Sequence, residues 1–521
     1  MNVGMSPVRG IQLAETAFAK IMEGFPHNEY LIKKNTFNTD EEKLFRSLAG
    51  ALNRSYHSDE WMGKLPSSVS KSFASAFKTS VLSYADTTEI VDKLPLEEDW
   101  AKARELLLKV LNENDVPVND KESFVERVLD EGVGYGYLGP LMRDAQLEEI
   151  MVNGTSRNVF VYHSKYGMCK TDIFIPMHDV NLLRIIAKAA KFAGRGFHEK
   201  EPLLDARLPD GSRLNATYES VTLSGHTLTI RKFTHNTLSL TELMKNGAVS
   251  TELAAFLWLM CEGMNVYPMN VIITGGSGTG KTTLLNALAS VIRYRDRIIT
   301  IEDTTELKFL HRDNWISLES RPASVNAPAV TMNDLLQNSL RMRPDRLILG
   351  EVRGEEAQTL FVAMDTGHQG CLGTLHSNSA REMLVRLSTE PMNVPQNLVH
   401  LLNMVIVLQK VQDYKEGMKR RVMQLAEVSH IDTNVLLSNI YERNPETDLI
   451  MRTDTPSHLM QVMADVSGKN KQHIQQEINV REQILRWMLK HNVLENEKVE
   501  KIIQQYYFDP ASVLEYVNKD M

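Results

Sequence analysis

The sequence predicts an α/β chain: a mainly parallel sheet covered by helices on both faces, with an α+β domain before it and helical segments at either end. Three observations predict this. From about residue 251, the apolar runs VIIT (271–274), RIITIE (297–302), RLILG (346–350), CLGTLH (371–376) and MVIVLQ (404–409) are separated by segments several of which carry helical patterns. Continuous apolar runs are what strands buried on both faces require. Between 98 and 235, strand and helix patterns mix without strict alternation, the mark of an α+β domain. The chain has 521 residues, enough for about three or four such units.

Taken in order, residues 1–97 read as a helical region with no chemical signature. Within it Phe73, Phe77 and Val81 recur at helical spacing and can bury one face. In the 98–235 domain, DWAKARELLLKVLNEN and DKESFVERVLDEG are amphipathic helices ending in Asn or Gly. LEEIMVNG, NVFVYHSKYGMCK and DIFIPM are short strands, and DVNLLRIIAKAAKFAG is a helix closed by Gly194. DARLPDGSRLNATY and GHTLTIRKF read as paired strands with PDGS as a turn. Residues 236–250 read as a linker, and 251–430 as the α/β domain. YKEG (414–417) turns the chain into RRVMQLAEVS as a terminal hairpin. Residues 431–521 read as a helical extension, in which Ile474, Ile478, Leu485 and Met488 mark one stripe.

Composition sets limits. Hydrophobic residues make up 43% and charged residues 24%, which excludes wholesale disorder, collagen and a coiled-coil rod. The net charge of −8 argues against a chain whose main task is gripping nucleic acid. Cys169, Cys261 and Cys371 are too scattered for a disulfide framework or a metal cluster, and they fit a reducing compartment. The N-terminus carries no apolar signal-peptide core. The longest apolar stretch, LAAFLWLMC (253–261), is far short of the ~20 residues that cross a bilayer. A cytoplasmic chain that docks on a membrane is the expectation.

The strongest motif is ITGGSGTGKTTLLNAL (273–288). Gly275, Gly276, Ser277, Gly278, Thr279, Gly280, Lys281, Thr282 and Thr283 follow an apolar strand and open a helix, the context a phosphate loop needs. Glycines let successive backbone N–H groups point at phosphate oxygens, and the helix brings its positive end to the same place. Lys281 can reach the β- and γ-phosphates, and the Thr282 hydroxyl can bind Mg²⁺. The bland alternative is a glycine-rich turn without a ligand.

Acidic residues decide what such a loop does. In TIEDTTE (300–306), Glu302, Asp303 and Glu306 end the next strand, on the ligand side of an open sheet. One can activate a water and another can hold Mg²⁺ through water, although a helix-start acidic cluster would look similar. In RLILGEVRG, Gly350 stands where an aspartate is usual, and Glu351 is the candidate for the Mg²⁺ shell. His368 and His376 flank the strand in TGHQGCLGTLHSNSA and are expected to reach the γ-phosphate region, packed histidines being the alternative.

With these four motifs in order, the chain resembles the type II/IV secretion-system ATPase superfamily. GYGYLGPLMRDAQLEEIMVNG, LLDARLPDGSRLNATY and LTIRKF are most similar to its tight-adherence pilus and archaeal type IV pilus and archaellum branches. The resemblance is strong over about 130–430. It implies a RecA-like core with a PAS-like N-terminal domain, ATP and Mg²⁺ as ligands, and a homo-hexamer. It also implies a polytopic membrane platform as partner, with prepilin-like substrates served indirectly. Neither zinc nor nucleic acid is an expected ligand, and the expected place is the inner face of the cell membrane. By the same resemblance Glu306 polarises water, Glu302 and Asp303 are the other acidic positions, Glu351 is the Walker B glutamate, and His376 lies near the γ-phosphate. Arg207, Arg213 and Arg231 match the arginines that complete the site from the N-terminal domain. The residue-level alternative is that Arg207 and Arg213 pair only with Asp205 and Asp210. Two other functions compete: a DNA-associated motor, conjugative or helicase-like, which predicts DNA-stimulated turnover, and a non-hydrolysing ATP switch, against which Lys281, Glu306 and Glu351 argue.

Overall fold

The computed structural model describes residues 12–24, 27–33, 37–55, 60–233, 237–309, 311–321, 323, 328–413, 417–431 and 434–519. The chain divides into two compact units, Met1–Thr234 and His235–Met521.

The first unit holds β1 (Gln12–Glu15), β2 (Ala19–Met22), β3 (Asn28–Ile32), β4 (Leu147–Val152), β5 (Arg157–His163), β6 (Gly167–Ile175), β7 (Leu203–Arg207), β8 (Arg213–Thr217) and β9 (Thr227–Arg231). They form one sheet in the order β1-β2-β3-β6-β5-β4-β9-β8-β7, antiparallel except where β3 meets β6. Inward residues such as Ile150, Val159, Val161 and Ile230 alternate along the strands and bury against Leu182, Ile185, Ile186 and Ala189 of the helix Val180–Phe192. Gly211, in the turn between β7 and β8, takes φ +85°, which favours glycine there.

Residues 1–97 are not the purely helical region expected. β1–β3 join the sheet of this unit, and the Tyr30 hydroxyl donates to Asp144 at 2.5 Å. The helices Thr39–Leu52 and Lys71–Phe77 share a core with Glu97–Glu113 and Lys121–Gly132, so a boundary at 97/98 would cut through it. In that core Phe73, Phe77 and Val81 are fully buried beside Leu107, Phe124 and Val128. Strands of four or five residues in a polar context leave too short an alternation to read.

The second unit holds β10 (Val271–Gly275), β11 (Ile298–Glu302), β12 (Trp315–Glu319), β13 (Arg346–Val352), β14 (Leu372–Leu375), β15 (Met404–Asp413), β16 (Gly417–Ile431), β17 (Asn434–Asn444) and β18 (Leu449–Arg452). The order is β12-β11-β13-β14-β10-β15-β16-β17-β18. It is parallel from β12 to β15 and antiparallel beyond. The five apolar runs of the sequence are β10, β11, β13, β14 and β15. Large hydrophobic cores cover both faces. Of the expected YKEG turn, residues 414–416 lie outside the described residues; Asp413 and Gly417 on either side pair in register.

Two expectations for this unit change. The extension beyond 430 is not helical throughout, because β17 and β18 continue the sheet before four helices follow. Residues 236–250 are not a free linker: they contain the helix Leu240–Lys245, capped by Ser239, whose hydroxyl donates to the Leu494 carbonyl at 2.5 Å. The LAAFLWLMC run lies in the helix Thr251–Glu262 and is buried all round because the C-terminal helices pack against it. There Trp258 Nε1 donates to the Tyr507 hydroxyl at 2.6 Å, and the fully buried Glu262 carboxylate accepts from Arg481 at 3.2 Å. Among the described residues no helix is long and apolar enough to cross a membrane.

Candidate functional site

In parallel sheets the C-terminal ends of the strands share one edge, and four elements converge there in the second unit. β10, wholly buried between β14 and β15, delivers the loop 275–280 onto the helix Lys281–Ala289. Gly278 and Gly280 take φ +65° and +94°, so the loop's tight path depends on glycine. Thr279 Oγ1 donates to the Gly276 carbonyl at 3.0 Å. The buried Lys281 ammonium donates to the Gly275 and Gly276 carbonyls at 3.0 and 2.9 Å. Ser277 is exposed on the loop, while Thr282 and Thr283 are half-buried in the first helical turn.

His376 follows β14 and leaves the sheet beside the loop. Thr274 Oγ1 fixes this junction by donating to the carbonyls of Leu375 and Ser377 at 3.0 and 3.1 Å. Lys281 Nζ lies 3.3 Å from His376 Nδ1, and His376 Nε2 lies 3.4 Å from Glu351 Oε1. Arg353 continues the row, 3.3 Å from Glu351 and 2.8 Å from Asp303, whose carboxylate also accepts from Ser320 at 2.9 Å. Burial, and then the Lys281 charge, hold the His376 imidazole below its usual range. A neutral ring can accept from the lysine and face the carboxylate without adding charge. Around Glu351 the register of β13 against β14 shifts between Leu349 and Val352, so an extra residue is accommodated where Gly350 and Glu351 stand.

Glu302 has a different place from the one expected. Its carboxylate is buried, and Oε1 accepts from the backbone N–H of Glu306 and Leu307 at 2.9 and 3.1 Å. It braces the loop that carries Glu306. Asn286, on the helix after the phosphate loop, accepts from Lys308 N–H at 3.0 Å and ties the same loop down. Glu302 also accounts for Gly350: a Cβ built there would lie 2.8 Å from Glu302 Cγ. Gly350→Ala is expected to push Glu302 aside and cost about 1–3 kcal/mol, read as a lower denaturation midpoint.

Burial raises the Glu302 carboxyl from 4.5 to about 7. Between those values the folded chain keeps a proton that the unfolded chain has released. This contribution to stability is therefore present at low pH and lost as pH rises through about 7. The melting temperature of wild type is expected to fall more between pH 5 and 8 than that of Glu302→Gln, measured in parallel.

His368 does not join His376. It precedes β14, while His376 follows it, and a four-residue strand separates them by ~13 Å along the sheet. His368 is at the edge away from the phosphate loop, with its Nε2 buried.

The three arginines lie in the first unit and form a cross-strand row. Arg207 is opposite Arg213, and Arg213 is opposite Arg231. Glu149 of β4 stands opposite Arg231 and ends the row. Asp205 accepts from Asn215 at 2.8 Å, and Asp210 accepts from Ser212. Cys169, Cys261 and Cys371 are each buried and unbridged.

Sequence reasoning passed over Arg353, Asn286, Thr274 and Arg386, which donates to the His376 carbonyl. Arg353 was visible in GEVRG, two residues from Glu351. The others touch the site only through the fold.

The family model described as type II/IV secretion system protein matches residues 133–504. An uncharacterised protein of Methanocaldococcus jannaschii is 49% identical over 240 residues, covering 46% of this chain but only 33% of its own length. The match thus spans about a third of that relative. A second uncharacterised protein of the same organism is 33% identical over 405 residues, 76% of this chain and 72% of its own. The type IV secretion system protein PtlH of Bordetella pertussis is 32% identical over 279 residues, covering 47% of this chain and 80% of PtlH.

Proposed function

The chain belongs to the type II/IV secretion system protein family, and from that premise we propose that it is an ATPase motor of a secretion or pilus-like machine. The observation that carries the proposal is the row Lys281–His376–Glu351–Arg353–Asp303 at the edge of the sheet where the phosphate loop emerges. A cation at the phosphates, a neutral imidazole and two carboxylates are a donor set that suits hydrolysis of a phosphoanhydride.

In this reading the loop N–H groups and Lys281 hold the β- and γ-phosphates. The residues present fit a magnesium ion: Thr282 would hold it directly, and Glu351 and Asp303 through water. When bound, it would neutralise phosphate charge. Glu306, braced by Glu302, orients and deprotonates the attacking water. His376 stays neutral and fixes the Lys281 ammonium. The row Arg207, Arg213 and Arg231 is kept for phosphate charge developing during transfer, a task worth about 10³–10⁵ in rate. We further propose a homo-hexamer, working on the cytoplasmic face of the cell membrane against a polytopic platform, in assembly of a type IV pilus-like filament or in secretion. The test is the purified chain's Mg²⁺-dependent phosphate release from ATP, together with its mass in solution. Turnover by a six-fold assembly is expected; a chain that binds ATP without turnover would instead favour a switch.

A further inference from the structure

The hairpin of β15 and β16 runs past the phosphate loop and sets two cations against it. Arg420 Nε donates to the Gly278 carbonyl at 2.9 Å, and its Cδ lies 3.4 Å from where a Cβ on Gly280 would stand. Lys410 lies opposite Arg420 in the β15–β16 register, and its Nζ is 2.7 Å from the position of a Cβ on Gly278. Both cations therefore meet the middle of the loop from the sheet side, across from the helix that carries Lys281.

The hydrogen bond has a geometric consequence. The Gly278–Thr279 peptide is planar and trans, so its C=O and N–H point in opposite directions. When Arg420 draws the Gly278 carbonyl toward the hairpin, the Thr279 N–H is turned the other way, away from the hairpin, and is left fixed in one direction for an anion that the loop would cradle. Gly278 at φ +65° has no side chain to stop the peptide from rotating. A loop with two freely rotating glycine peptides would lose that orientation part of the time.

We infer that Arg420, with Lys410 beside it, is a positioning residue that preorganises the phosphate loop for the phosphates of a nucleoside di- or triphosphate. The inference rests on the proposed nucleotide-binding reading. It assigns the hairpin a share in nucleotide affinity, whereas the hydrolytic step stays with Glu306 and Glu351.

The test uses the full chain, titrated with Mg·ADP in a calorimeter and assayed for steady-state ATP hydrolysis. Arg420→Ala should weaken ADP binding and raise KM for ATP by about tenfold, the loss of one charge-assisted hydrogen bond, with a change in kcat of less than about threefold. Arg420→Lys, which keeps a charged donor, should recover most of the affinity. Melting temperatures identify a misfolded variant, and if Arg420→Ala fails to fold, Arg420→Gln takes its place. Unchanged ADP affinity in the folded variant, or a fall in kcat at constant KM, overturns the inference. Wild-type protein that binds neither ADP nor ATP would overturn the nucleotide-binding reading too, which separates the two failures.

Discussion

Lys281→Ala is expected to lower kcat/KM for ATP by about 10²–10³-fold, measured as phosphate release by the purified chain. The ammonium is buried and held by the Gly275 and Gly276 carbonyls, so its position is fixed before any phosphate arrives. A donor oriented in advance needs no reorganisation as charge develops on the transferring group, which is why its loss outweighs that of a surface lysine. The substitution also strips His376 of its cation at 3.3 Å. The imidazole would then rise toward its ordinary range, because the Lys281 charge is one of the forces holding it down. A shift of the His376 resonance titration toward higher pH would accompany the lost activity, and hydrolysis within a fewfold of wild type would contradict this role.

Glu351→Gln has the second large effect: hydrolysis falls by about 10²–10⁴-fold while ATP still binds. The carboxylate lies between His376 and Arg353, 3.4 Å from one and 3.3 Å from the other. The amide preserves shape and removes charge, so the surrounding groups keep their places while the site proposed for magnesium loses an anion. Arg353 retains Asp303 at 2.8 Å, which should preserve the loop. Equilibrium binding of ATP measured beside turnover checks the separation. Loss of binding equal to the loss of turnover would place Glu351 in the architecture of the loop instead.

These residues were not equally legible. A phosphate loop is local, with its glycines, lysine and threonine contiguous and its flanking strand and helix written next to them. The five buried strands were legible because continuous apolar runs are rare outside doubly covered sheets. Glu302 was assigned to chemistry because it lies beside Asp303, yet strand parity sends neighbours to opposite faces. Ile299 and Ile301 bury in one core, and Ile298 in the other; Glu302 shares the parity of Ile298 and is buried against Gly350. His368 was misplaced for a related reason, since two histidines around one strand look close in sequence but leave it at opposite ends. β1–β3, β12 and β18 were missed because strands of four or five residues depend on neighbours distant in the chain for their hydrogen bonds, and β17, although eleven residues long, because its half-exposed face breaks the apolar run. The 97/98 boundary failed similarly: the helices on both sides are each amphipathic, and only packing reveals that they share a core.

The long apolar run LAAFLWLMC also has a physical reason in the fold. The run is buried on all sides by the C-terminal helices, through Trp258 with Tyr507 and Glu262 with Arg481. That extension is thus part of the hydrophobic core of the second unit and not an appendage to it.

The central claim is that the row from Lys281 to Asp303, together with Glu306, hydrolyses ATP. Single-turnover phosphate release by the purified full chain, with saturating Mg²⁺ and again with the metal chelated, tests it most directly. The account predicts one phosphate released per active site with Mg²⁺ and essentially none without it. Bound ATP that stays intact in the presence of Mg²⁺ would contradict it.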